Sequence, residues 1–183
     1  MTIRDLLLTF ADEDLFMPFW SNEIQKEWKR NLIQNRPDLD PKRIDQTILA
    51  MDEFFPDAAV EGWKSISSQI SLPDKNDHHV LAAAIKCKAH YLVTSNLKDF
   101  PAVELEKFNI KPIHPDEFCR FLIQQNNKAA TKAFRNMVGR LKNPPRSFSE
   151  VLATLKKTDL PKTFTLFENL IDNPQRDDSE NSI

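Results

Sequence analysis

Three separated stretches of this chain carry acids whose types and spacing bear on chemistry. Glu27 lies in "SNEIQKEWKRNL", Asp74 and Asp77 lie in "LPDKNDHHVLAAAIK", and Asp99 lies in "TSNLKDF". Carboxylates brought close together repel, which raises at least one pKa unless a cation neutralises them. A cluster of hard oxygen donors suits Mg2+ or Mn2+ better than zinc. Such an ion binds a phosphodiester oxygen and lowers the pKa of an attacking water, which is the chemistry of phosphodiester cleavage. Other polar residues flank the acids: the amide of Asn96, the hydroxyls of Ser21, Thr94 and Ser95, and the amines of Lys26, Lys75 and Lys98. The hydroxyls suit a ligand or phosphate, and the amines suit a nucleic-acid backbone.

Each of these residues also has a plainer reading. Asp74 and Asp77 are good helix-start residues, because a carboxylate satisfies free backbone N–H groups and the helix dipole. Glu27 can be solvated charge, although it falls between Ile24 and Trp28/Leu32, on or near an apolar helix face. Asp99 can be an ordinary loop carboxylate, and Thr94 to Asn96 can make turn hydrogen bonds. His78 and His79 lack H-E-x-x-H or C-x-x-C spacing and read as surface or packing residues. Trp20, Trp28 and Trp63 read as core contacts rather than base-stacking platforms.

The elements that must position the acids follow from periodicity. Residues 15–21 read as a brief strand, with Ser21 capping a helix to about residue 35. Asp40 caps a second helix in which Ile44, Ile48, Met51, Phe54 and Phe55 line up. Residues 57–62 fit a short strand and 76–89 a helix. Residues 90–95, apolar and β-branched, suit a strand buried on both faces. A short helix and an edge strand, "IKPIH", follow. Short strands alternating with helices predict an α/β fold: an open parallel sheet flanked by helices. Ligands of such sheets bind beyond the carboxyl ends of the strands. Glu27, Asp77 and Asp99 would converge there. After His114 the pattern becomes that of amphipathic helices to about 172, broken at 143–145, with Ser147 and Ser149 as candidate caps. Residues 173–183 are polar and read as a disordered tail.

Composition excludes several classes. Gly62 and Gly139 are the only glycines, so Gly-rich phosphate loops are ruled out. The net charge of -2 argues against coating a nucleic acid by charge alone, leaving a local basic face as the alternative. Cys87 and Cys119 form no metal or disulfide pattern and fit a reducing compartment. No run approaches the ~20 apolar residues of a membrane span. The first residues are too acidic for a secretory signal, so a cytoplasmic location is expected.

The runs "WSNEIQKEWKRNL", "LPDKNDHHVLAAAIKCKAHYLVTSNLKDFP" and "IHPDEF" together resemble the PIN domain, in particular its VapC-like toxin ribonuclease branch. The resemblance covers about residues 1–125 and is strongest over 71–118. It implies a PIN-like domain over 1–118, a helical C-terminal extension over 119–172, and a parallel sheet of about five strands. It also implies a Mg2+- or Mn2+-dependent ribonuclease. Its helix glutamate falls on Glu27 and its helix-start aspartate on Asp77, with Asp74 beside it. Its turn motif falls on Asn96 and Asp99. Asn96 stands where many relatives carry an acid. The partners implied are RNA and, for a toxin, a small antitoxin protein covering the acidic crevice.

The family begins with a strand ending in an aspartate, and the present sequence resembles it only from the loop after that strand. Several readings stay open: a longer native chain, a decayed relative, or another chain or rearrangement in that place. The functional alternative is a catalytically inactive PIN-like module used only for association.

Overall fold

The computed structural model describes residues 3–142 and 144–172. The disordered tail expected at 173–183 lies outside the described residues. In chain order the elements are α1 (Ile3–Asp12), α2 (Asn22–Asn35), α3 (Pro41–Phe54), α4 (His78–Lys86), β1 (Tyr91–Val93), α5 (Ala102–Glu106), β2 (Lys111–Ile113), α6 (Pro115–Gln125), α7 (Asn127–Gly139), α8 (Phe148–Lys157) and α9 (Pro161–Asp172). Short 3-10 turns lie at Pro56–Ala58, Trp63–Gln69, Lys75–Asp77 and Leu97–Asp99. The fold class is α/β, mostly helical, with a small parallel sheet and a helical C-terminal part. No helix among the described residues is long and apolar enough to cross a membrane.

The chain divides into two compact units, one of residues 18–113 and one of residues up to 17 together with 114 onward. This partition differs from the 1–118 and 119–172 boundaries read from the sequence, because α1 groups with the C-terminal helices.

The unit of residues 18–113 carries the sheet. β1 and β2 pair in parallel, Leu92 opposite Pro112. The expected strands at 15–21 and 57–62 shrink to a single parallel bridge, Trp20 to Ala59. A run becomes a strand only where its N–H and C=O groups find a neighbour. Here Trp20 donates to the Ala58 carbonyl and accepts from Val60 N–H, at 2.9 and 2.8 Å, and the ladder stops. The core forms where Leu81 and Ala82 of α4, Leu92 of β1, Phe100, Leu105 and Ile110 bury one another. Trp63 and Ile66, from the 3-10 segment that sequence periodicity did not reveal, pack against that core.

Local capping explains the helix starts. Ser21 Oγ accepts from Ile24 N–H at 3.3 Å. Asp40 accepts from Lys42 N–H at 2.9 Å. A buried polar staple then fixes α2 on α3. Asp52 Oδ1 accepts from the indole N–H of Trp20 and from the amide of Gln25, each at 2.8 Å. One expected inward position fails: Phe54, at the last turn of α3, is 61% exposed.

In the other unit, the rings of Phe134 and Phe167 stack at 4.7 Å, and Phe148 meets Phe134 edge-on. Phe10 of α1 packs against Phe167. Asp12 and Glu13, at and just past the end of α1, pair with Arg140 and Lys132 at 2.7 and 2.6 Å. Ser147 forms a capping box with Glu150 at the start of α8. Asp116, only 4% exposed, caps α9 from 46 and 47 residues away in sequence. Its carboxylate accepts from the N–H groups of Lys162 and Thr163 and from the Thr163 hydroxyl, at 3.0, 2.8 and 2.7 Å. Cys119 is fully buried beneath it, and burial pushes its thiol up to about 12.

Candidate functional site

All the acids singled out from the sequence lie within the 18–113 unit. α2 carries Glu27 two turns from its buried cap. Ser21 is itself fully buried with its hydroxyl engaged in that cap, so it positions the helix rather than facing solvent. The 3-10 turn before α4 carries Asp74 and Asp77, which behave differently. The Asp74 carboxylate accepts from Asn76 N–H at 2.8 Å, the capping role its position suggested. Asp77 occupies the N-cap position of α4, yet its side chain makes no cap hydrogen bond. Its carboxylate is therefore not engaged by the helix start.

The turn after β1 carries the remaining donors. The Thr94 hydroxyl accepts from Asn96 N–H at 3.0 Å, and Thr94 N–H donates to the Ile113 carbonyl at 2.9 Å, which locks the turn to the end of β2. The Asn96 amide donates to Asp99 Oδ2. The amide that stands in place of an acid therefore stabilises a neighbouring carboxylate instead of repelling it. Ser95, Asn96 and Lys98 are exposed and Asp99 is half-buried; Lys26 and Lys75 are exposed as well.

The electrostatics bring the three segments together. Burial pushes the Asp77 carboxyl above its ordinary range. Repulsion from Asp74, Asp99 and Glu27 raises it further, and only His79 acts in the opposite sense. Four carboxylates from three sequence-distant segments thus share one field. They do not form a closed shell: among the described residues no three His, Cys, Asp or Glu side chains stand together as an ion site.

One participant has no recognisable signal in the sequence. His79, read there as a surface or packing histidine, directs Nε2 to 3.3 Å from Glu27 Oε2. That is an ion-pair distance, but the geometry is not a hydrogen bond, and Nε2 is a buried nitrogen without a hydrogen-bond partner. Glu27 Oε1 faces Arg30 at 3.4 Å. Only proximity in the fold exposes this pairing, since Glu27 and His79 are far apart in sequence.

The parallel β1–β2 pair, the acids on α2, in the turn before α4 and in the turn after β1, and the helical C-terminal part together point to a class of protein. A family model described as the PIN domain matches residues 3–98, more than half of the chain, and the chain belongs to that family. A second, the VapC50 C-terminal domain, matches residues 115–167. Among individual proteins the chain is similar to one named "Putative ribonuclease VapC50" from Mycobacterium tuberculosis, 39% identical over 69 residues. The alignment covers 38% of this chain and 41% of that protein, so the chain matches less than half of its relative's length. No solved structure matches.

Proposed function

We propose that this protein is a PIN-type ribonuclease that hydrolyses RNA phosphodiester bonds with Mg2+ or Mn2+. The observation that carries the reading is the state of Asp77. Its carboxylate makes no cap hydrogen bond, and it is pushed up by burial and by Asp74, Asp99 and Glu27. Surplus negative charge of this kind is what a divalent cation relieves. The donor set fits such an ion chemically, being carboxylates with an amide oxygen beside them.

Glu27, Asp77 and Asp99 would hold the ion, with Asn96 and Asp74 adjacent. When bound, the ion supplies charge to a phosphodiester oxygen and acidifies a water. The chain's own residues do the rest. The exposed Ser95 hydroxyl and Lys98 amine meet the phosphate, with Lys26 and Lys75 along the backbone. Thr94 holds the turn that carries them. The family match and the name of the mycobacterial relative support the ribonuclease reading. If the protein is the toxin of a toxin–antitoxin pair, its partner is a small antitoxin protein whose segment covers these acids.

The test is single-turnover cleavage of a labelled RNA with Mn2+. Asp77→Asn is expected to lose at least ~100-fold in rate while its circular dichroism is unchanged, the size of loss seen when an electrostatic stabiliser is removed. Equal cleavage by both proteins overturns the site assignment.

A second reading, a catalytically inactive association module, is favoured by the unclosed shell and by Asn96 in place of an acid. Thermal melting separates the two. A ligand that binds only the folded state at 100 times its Kd stabilises by about 2.7 kcal/mol. No shift at millimolar Mn2+ decides for the inactive module.

A further inference from the structure

We infer that the outer face of α7 and the turn after it form a second RNA-binding surface, carried by the unit that does not hold the acids. It rests on the reading that the chain acts on RNA, and is independent of the cation.

Residues 118–149 contain seven Lys and Arg and no Asp or Glu, in a chain whose net charge is -2. Positive charge is thus concentrated in one segment, and the rest of the chain is correspondingly acidic. Helix periodicity sorts these cations. On α7, Lys128, Lys132, Arg135 and Gly139 recur at three- and four-residue spacing, which puts them on one stripe. All four are exposed, and the opposite face buries Ala130, Ala133, Phe134 and Met137. Lys142 and Arg146 continue the row past the helix, exposed at the two ends of a turn closed by the Lys142–Pro145 bridge. Pro144 and Pro145 fix φ there, so the turn is set in advance.

Acids of the same unit take up part of this charge. Asp12 and Glu13 pair with Arg140 and Lys132, and Glu13 also accepts from the Asn136 amide at 2.8 Å. Arg120 pairs with Glu117 at 2.9 Å. Arg135 and Lys142 have no ion-pair partner among the described residues. Arg146 feels the charge of Glu150, but that carboxylate is engaged by the N–H and hydroxyl of Ser147 in the α8 capping box. Arg135, Lys142 and Arg146 therefore remain as exposed cations whose charge the fold does not use.

Gly139 is a second, independent sign. Glycine weakens a helix, and here it serves neither a turn nor a packing contact. Its φ is not left-handed, and a Cβ at this position would meet nothing within 4 Å. It leaves bare backbone on the cationic stripe, over which a ligand can pass closely.

A row of cations along about 16 Å of helix suits a linear polyanion better than a single small anion. RNA supplies one phosphate per nucleotide, and Lys and Arg contacts to phosphate need no particular base sequence. Protein partners and lipid surfaces are held largely through aromatic or aliphatic anchors. Among the described residues no large hydrophobic side chain between 122 and 170 is exposed.

Salt titration of RNA binding by the full chain tests the surface, in a chelator so that metal-dependent cleavage plays no part. The probe is a fluorescent single-stranded RNA of mixed sequence. Each phosphate contact to a single strand contributes about 0.7 to the slope of log Kd against log salt. Arg135→Ala, Lys142→Ala and Arg146→Ala combined are expected to flatten the slope by about 2, equally for RNAs of unrelated sequence. Gly139→Glu removes no cation and enters open space, so it keeps the fold; it should weaken binding more than Gly139→Gln, which separates charge from bulk. A slope that the triple variant leaves unchanged overturns this surface and leaves the ribonuclease reading standing. A slope that flattens in a protein that cleaves no RNA with Mn2+ supports the surface and removes the ribonuclease reading. Polyglutamate bound as tightly as RNA, with the same loss in the triple variant, overturns RNA as the ligand. No RNA binding by the wild type at low salt overturns both.

Discussion

The Asp77 carboxylate carries a cost in the cation-free protein that depends on pH in a definite direction. Folding raises its pKa from the ordinary 3.8, chiefly through burial. Between the unfolded and folded values the folded chain therefore holds more proton on this group than the unfolded chain, and stability falls as pH rises through that window. The penalty is complete above the raised value and absent below the ordinary one. Asp77→Asn is therefore expected to melt higher than wild type at pH 7 in a chelator, with the difference vanishing as pH drops below about 4. Adding Mn2+ should reverse the order at pH 7, because only the wild type gains the ligand. Melting curves across pH, with and without Mn2+, check both halves. Sequence identified Asp77 as a candidate but left capping and catalysis as alternatives, and hydrogen-bond geometry distinguishes its carboxylate from that of Asp74. His79 was not legible as a participant, because its partner Glu27 is on a distant helix.

Helices carry most of the fold, and their starts were readable because capping is local. Ser21, Asp40 and Ser147 each accept a backbone N–H within a few residues of themselves. What sequence could not give was the long-range polar staples. The Asp52 carboxylate serves Trp20 and Gln25 from 32 and 27 positions away. It fixes the rotation of α2, and hence where Glu27 points. Asp52→Ala leaves the Gln25 amide buried and unpaired, with an expected cost of about 1–3 kcal/mol by urea denaturation. It should also weaken Mn2+ binding although residue 52 is no ligand. Asp116→Ala removes the acceptor of three donors at the start of α9 and is expected to cost ~2–4 kcal/mol, leaving Mn2+ affinity unchanged. Strands were the least legible elements. Residues 15–21 and 57–62 have strand composition, but a strand is a property of two segments, and Trp20 and Ala59 form the only bridge between these. Phe54 was misplaced for a related reason: periodicity names a helix face, and the neighbours decide how far along the helix that face is covered.

For the whole molecule, if the chain acts on RNA as proposed, a net charge of -2 means that the attraction must be local. Lys26, Lys75 and Lys98, exposed beside the acids, are among the cations placed to supply it. Lys98→Ala is expected to weaken RNA association and to flatten the log Kd against log salt slope by about 0.7, the value for one contact to a single strand. Titrations at several salt concentrations in a chelator measure this apart from cleavage.

The pairing of α1 with C-terminal partners has a consequence for synthesis. Phe10 packs on Phe167, and Asp12 and Glu13 pair with Arg140 and Lys132, so α1 meets its partners more than a hundred residues later in synthesis. At a translation rate of 5–20 residues per second, the ~115 residues between α1 and α7 take on the order of ten seconds to emerge. For that time an amphipathic helix with Leu6 and Phe10 uncovered must wait while the 18–113 unit is produced and can fold. The nascent chain thus offers chaperones an early apolar handle, and the rate at which α7 to α9 arrive sets how long that handle is exposed.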